Sequence, residues 1–219
     1  MTERRRTVEK SVSIADLVFE KIEDAILSGE FACGDIITEL KLCKLLDVSR
    51  TPVREALTRL RQEGLVKESG KGAIVVGVSE DDLYDIYEVR MRIEGLAAAR
   101  CAEVITDGQL KNLCETLELQ EFYTTRNQPE SIKKLDSEFH EQIYSYCGSR
   151  TLETLLCELH RKVKRYRKTS VSNPERALKA VKEHREIFEA ISARDARLAE
   201  ELTAKHIKNA RESIMKVCT

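Results

Sequence analysis

Residues 42–66 read LCKLLDVSRTPVREALTRLRQEGLV, and their spacing predicts two short helices joined by a tight turn. In the first helix, Leu42, Leu45 and Leu46 recur at helical spacing and make one apolar face. Asp47 breaks it, because aspartate tolerates a left-handed backbone better than most residues. Thr51 is placed to cap the second helix, and Pro52 suits its first helical position, where no amide donor is needed. Val53, Ala56, Leu57 and Leu60 then share one face, while Arg50, Arg54, Thr58, Arg59 and Arg61 lie elsewhere or at the start. A helix with its apolar stripe packed away and arginines near its N-terminus is the shape that a helix-turn-helix lays in a DNA major groove.

The residues after the second helix separate this from a solvated basic hairpin. Gly64 ends that helix and Leu65-Val66 begins a strand. Gly70-Lys71-Gly72 supplies a turn, and Ala73-Ile74-Val75-Val76 returns as a second strand. The expected unit is a winged helix with Lys71 and Gly72 at the wing tip, within reach of a phosphate or the minor groove.

The run VSRTPVREALTRLRQEGLV, preceded by a helix over 16–27 and Ser28-Gly29-Glu30-Phe31, resembles the DNA-binding domain of GntR-family transcription regulators over roughly residues 12–78. Asp47 stands where these proteins usually carry glycine, and Cys43 where a small alanine is common. The resemblance implies an operator read by Arg50 and Arg54, with Ser49 and Thr51 positioning and Arg59, Lys71 and Gly72 near the backbone.

Composition fits this without arguing for it. The 219 residues suit one large domain or two modest ones, with 34% charged side chains and no tryptophan. Residues 1–78 carry 13 basic and 13 acidic side chains, so net charge says nothing about DNA. The charge is polarised instead: residues 40–71 hold eight basic and four acidic side chains. Seven cysteines form no CxxC pair, which reads as reduced thiols in a cytoplasmic protein, a redox switch being the alternative. The stretch MTERRRTVEK lacks the apolar run of a signal peptide and reads as a mobile basic arm over 1–12, and no stretch suits a membrane span.

Ser79-Glu80-Asp81-Asp82 reads as a helix cap that divides a winged domain over 13–78 from an all-α domain over 79–219. Six helices are expected in the latter, at about 80–104, 107–126, 129–146, 150–168, 174–193 and 195–216. The fold class is therefore mostly α: a winged helix-turn-helix followed by an antiparallel helical bundle. In the first of these helices, Arg90 interrupts the stripe of Leu83, Ile86, Tyr87, Ile93 and Ala97. An arginine there needs an anion, either Glu94 or another acid of the bundle, or a bound carboxylate. The basic run over 160–168 reads as a solvated helix face, with a secondary DNA contact as the alternative.

Asp136 and His140 are four apart on one face, and His184 and His206 lie in the last two helices beside apolar stripes. On spacing alone, scattered core histidines explain these residues better than a site does. His160, in the basic run, is left outside the set. The second domain is similar to the helical effector domain of the FadR subgroup, whose metal-binding members use an Asp-x-x-x-His pair and two later histidines. That resemblance implies a divalent transition metal at Asp136, His140, His184 and His206, zinc foremost, with nickel, manganese or iron also suited to imidazole and carboxylate. It further implies a homodimer, hence an inverted-repeat double-stranded DNA operator, and a small carboxylate effector at Arg90. A regulator, most often a repressor, is the leading expectation. A metal sensor without organic effector is one alternative. A hydrolase using Glu141 or Glu183 as general base is the other.

Overall fold

The computed structural model describes residues 13–163 and 173–218, and the chain divides into two compact units, Met1–Val78 and Ser79–Thr219. The expected basic arm and the basic residues 164–168 lie outside the described residues.

The first unit opens with α1 (Ile14–Ser28), started by a capping box between Ser13 and Asp16 and ended by Gly29 in the left-handed region. α2 (Glu39–Leu46) ends at Asp47, whose φ of 52° realises the left-handed turn expected of it. α3 (Arg50–Gln62) begins after three residues. Thr51 is not its cap. Ser49 holds the N-cap position, without a side-chain cap bond, and Thr51 and Pro52 fall inside the first turn, where proline's missing donor still costs nothing. Leu45 also departs from expectation: it is exposed, and Cys43 joins Leu42 and Leu46 against the core in its place.

Strands β2 (Val66–Ser69) and β3 (Gly72–Val75) form the wing hairpin, with Ser69 opposite Gly72. A third strand, β1 (Ile36–Ile37), pairs antiparallel with β3, giving the order β1-β3-β2. The pairing depends on Gly72, whose φ is 142°; a Cβ there would stand 2.6 Å from the Ile37 carbonyl oxygen. Phe19 and Ile22 of α1, Leu42 of α2, Val53 and Leu60 of α3, and Ile37 and Val75 of the sheet close one core.

The second unit is helical throughout its described residues: α4 (Glu80–Val104), α5 (Asp107–Thr125), α6 (Pro129–Tyr146), α7 (Arg150–Lys162), α8 (Pro174–Ser192) and α9 (Ala196–Cys218). Side-chain caps at Ser79, Thr106, Ser149 and Asn173 start four of them. α4 packs against α9, α8, α6 and α7, and α5 packs against α6 and α8. The approach of α4 to α9 is close because Gly95 meets the Glu200 backbone, where a Cβ would lie 2.9 Å from its carbonyl oxygen. At one level the bundle is polar inside. Arg90, Glu94, Gln120, Asp136, His140, His160, His184 and His206 are each at most 5% exposed. His160 is therefore no part of a solvated face: its ring packs inward although the residues that follow it are basic.

Candidate functional site

In the first unit, Ser49, Arg50, Thr51 and Arg54 lie exposed along the start of α3, and Lys71 lies exposed in the wing turn beside the half-buried Gly72. Arg54 donates through Nε to both carboxylate oxygens of Glu39, at 2.9 Å each. Arg59 is engaged inward: its Nη1 donates to Asp16 at 2.6 Å and its guanidinium lies 4.0 Å above the Phe19 ring. Serine and arginine bonds hold the Asp16 carboxyl below its ordinary range.

The second unit gathers the histidines. His140 and Asp136 come from α6, His184 from α8 and His206 from α9. Candidate ligand atoms of the three imidazoles all lie within 4.8 Å of one another. Nε2 of His184 stands 3.3 Å from Nε2 of His206 and 3.7 Å from Oδ1 of Asp136. Phe139 stacks on the His184 ring with centroids 4.4 Å apart.

Two of the imidazoles are hydrogen-bonded from behind, and the third has a carboxylate beside it. His184 Nδ1 lies 2.8 Å from Gln120 Oε1, and His206 Nδ1 lies 2.7 Å from Glu183 Oε2. His140 Nδ1 stands 3.3 Å from Glu94 Oε2. An Nδ1 hydrogen engaged in this way puts the lone pair on Nε2. Two such lone pairs facing each other at 3.3 Å repel unless a shared proton or a metal ion lies between them. A tetrahedral ion at zinc–nitrogen distances would separate two ligating nitrogens by about 3.3 Å. The donor set, imidazole with carboxylate, also suits such an ion, and acceptors behind metal-ligating imidazoles are their usual partners.

Electrostatics keep the supports charged and a ligand neutral. Burial pushes Glu94 up, but the Arg90 guanidinium, with its Nε 2.6 Å away, more than offsets this and holds the carboxyl down at about 2. Glu183 is pushed up by burial and held down at about 2 by His206, Arg176 and Asn209. A carboxyl so committed is a poor proton acceptor, and Glu141 is exposed, so neither general-base candidate suits a hydrolase. Burial pushes His140 below its ordinary value despite Glu94, favouring the neutral form that a metal needs.

A small, partly open pocket with a cavity volume of about 30 Å³ borders this cluster and is lined by Arg90, Asp136, His140, His206, Gln120 and Arg176 among others. Sequence reasoning places Arg90 and the four proposed ligands, and the structure brings all five to this one region. It missed Glu94 as an imidazole support, Gln120, Tyr144 and His160. The Tyr144 hydroxyl is 3.4 Å from His160 Nδ1, and the His160 ring centroid is 5.6 Å from that of His140. The basic run around His160 concealed it, whereas the helical stripe through Leu156 could have revealed it.

Comparison with known proteins bears on both units. Residues 14–76 match the family described as bacterial regulatory proteins, gntR family, and residues 85–209 match the FCD domain. The chain is 26% identical over 193 residues to the uncharacterized HTH-type transcriptional regulator YdhC of Bacillus subtilis, covering 87% of this chain and 86% of that protein. It is 29% identical over 190 residues to the HTH-type transcriptional repressor RspR of Escherichia coli, covering 85% and 82%. Among solved structures, E. coli McbR/YncC superposes with a TM-score of 0.81 at 21% identity over 95% of this chain and 100% of that one, which speaks to the fold alone.

Proposed function

The chain belongs to the GntR family of transcription regulators and carries an FCD domain, and from that premise we propose that it is a repressor whose operator binding is governed by a metal-dependent effector site in its helical unit. Its relatives are regulators rather than enzymes.

On the DNA side, Arg50 and Arg54 approach base edges, Ser49 and Thr51 position α3, and Lys71 and Gly72 meet the backbone. Glu39 holds Arg54 through Nε, leaving its two terminal nitrogens for the bidentate contact that reads guanine. Arg59 serves the fold of the winged unit instead, given its bonds to Asp16 and Phe19. The working species is a homodimer, so the operator is an inverted repeat. A random duplex pool enriched on the full-length chain should yield inverted repeats, and the Arg50→Ala and Arg54→Ala variants should bind the winners more weakly. Arg54→Ala should cost about 1–3 kcal/mol of affinity. Wild-type binding by both variants contradicts this docking.

On the effector side, Asp136, His140, His184 and His206 hold one divalent transition ion, zinc foremost. The observation that carries this is the facing of Nε2 atoms whose Nδ1 partners are already engaged. Such an ion would supply Lewis acidity toward a carboxylate oxygen, and Arg90 would supply a charged hydrogen bond beside it. Such a ligand regulates only if it binds the DNA-competent and incompetent states unequally. Loaded with zinc, wild type should hold about one ion per chain, and the His184→Ala/His206→Ala variant should hold none while still binding DNA. Retention of stoichiometric zinc by that variant rules out the site.

A further inference from the structure

Resting on the reading of the histidine cluster as a metal site, we infer that Tyr144 and His160 are positioning residues for the ligand His140, acting through a buried hydrogen-bond chain that runs from His160 through Tyr144 and Glu94 to the His140 ring.

Neither residue belongs to the ligand set, yet both are buried against it. Tyr144 lies one turn beyond His140 on α6, and His160 is, with Leu156, what α7 buries. The two rings have centroids 5.9 Å apart, and they lie 6.2 and 5.6 Å from that of His140. The Tyr144 hydroxyl stands 3.4 Å from His160 Nδ1. Against the effect of burial, the same hydroxyl joins Arg90 and His140 in holding the Glu94 carboxyl down, through a hydrogen bond of its own. Glu94 has Oε1 on Arg90 Nε and Oε2 3.3 Å from His140 Nδ1.

The supply of hydrogens gives the chain its direction. An ionised carboxylate only accepts, so Tyr144 gives its single hydroxyl hydrogen to Glu94. The hydroxyl oxygen is then an acceptor, and its bond to His160 forms only with a hydrogen on His160 Nδ1. At the other end the carboxylate favours the His140 hydrogen on Nδ1, which leaves the Nε2 lone pair for an ion. A tyrosine and a histidine buried only to satisfy each other need no third partner; the carboxylate is what points the chain at the site. Bonds to a charged acceptor are the stronger ones, and successive donors polarise one another, so His160 bears on how firmly Glu94 is held. Partners behind a ligating imidazole set its orientation and basicity. Through His160, α7 is tied to a centre to which it contributes no ligand.

Zinc affinity of the full-length chain, measured by competition with a chromogenic chelator, tests this in a set of variants. Tyr144→Phe removes the hydroxyl and keeps the ring, and should weaken zinc about tenfold. His160→Phe keeps ring bulk without a donor and should weaken it about three- to tenfold. The Tyr144→Phe/His160→Phe variant should bind no more weakly than Tyr144→Phe alone, because His160 acts through the hydroxyl. His160→Asn returns an amide donor near the place of Nδ1 and should recover most of the loss, although it leaves more empty space than phenylalanine. A packing role ranks them the other way: Asn would be worse than Phe at this position, and the losses in the double variant would add. Either of those results, or wild-type affinity in both single variants, overturns the chain. Should His160→Asn or the double variant fail to fold, the remaining comparison decides. A wild type that takes up no zinc overturns the metal reading, and this inference with it, whereas full zinc uptake with the packing order overturns the chain and leaves the metal site standing.

Discussion

Arg90 and Glu94 show how one buried pair can be both scaffold and site. With side chains 2% and 0% exposed and 2.6 Å between Nε and Oε1, neither tolerates the loss of the other. Glu94→Gln strands a buried guanidinium and should destabilise the helical unit by about 3–5 kcal/mol in denaturant titrations. The pH dependence comes from the depressed carboxyl. Its folded value of about 2 lies below the ordinary 4.5, so the stabilisation is fully present above about pH 4.5 and is lost as pH falls toward 2. The gap between wild type and Glu94→Gln should therefore narrow over that window and stay constant near neutrality. A gap unchanged down to about pH 2 contradicts the pairing as the source of the stability. Four-residue spacing put Asp136 and His140 on one helix face, but the family resemblance, not the spacing, made them candidate ligands. Gln120 was not legible, since an amide support has the same letter as a surface glutamine, and only the distance to His184 distinguishes them.

At the level of elements, two glycines set close approaches that no side chain would permit. Gly95 lets α4 settle on the backbone of α9 at Glu200, and α9 carries His206. Gly95→Ala should push these helices apart by a few tenths of an ångström and cost about 1–3 kcal/mol. Zinc affinity should fall with it, because His206 moves with α9 while His140 stays with α6. A variant with lowered thermal stability but unchanged zinc affinity would show that the ligands are positioned independently of this contact. In the wing, Gly72→Ala meets the Ile37 carbonyl oxygen and should release β1 from β3, read as faster amide exchange at Val75, whose N–H donates to the Asp35 carbonyl beside β1. Turn chemistry made the hairpin legible, with Gly70-Lys71-Gly72 between two apolar runs. β1 escaped because two residues are too short for alternation to register. The cap of α3 was displaced to Ser49 because threonine and proline in a first turn carry the same letters whether they start it or continue it.

On the scale of the whole molecule, the chain joins a unit that presents arginines on an exposed helix to one that buries its histidines. Sequence separated the two through the cap at Ser79, which the structure realises as a capping box with Asp82. What sequence could not supply was the convergence of five helices on one region, α5 among them through its packing against α6 and α8. Regulation requires that convergence to matter, and a metal ion is what would make it matter. The most direct measurement is therefore a zinc titration of the chelator-stripped full chain at about neutral pH, repeated at about pH 5, beside the His184→Ala/His206→Ala variant. Wild type should take up one zinc per chain, with weaker uptake at the lower pH as protons compete for the imidazoles, and the variant should take up none. Wild type that binds no zinc, or a variant that binds it as wild type does, would contradict a metal-governed site in the helical unit.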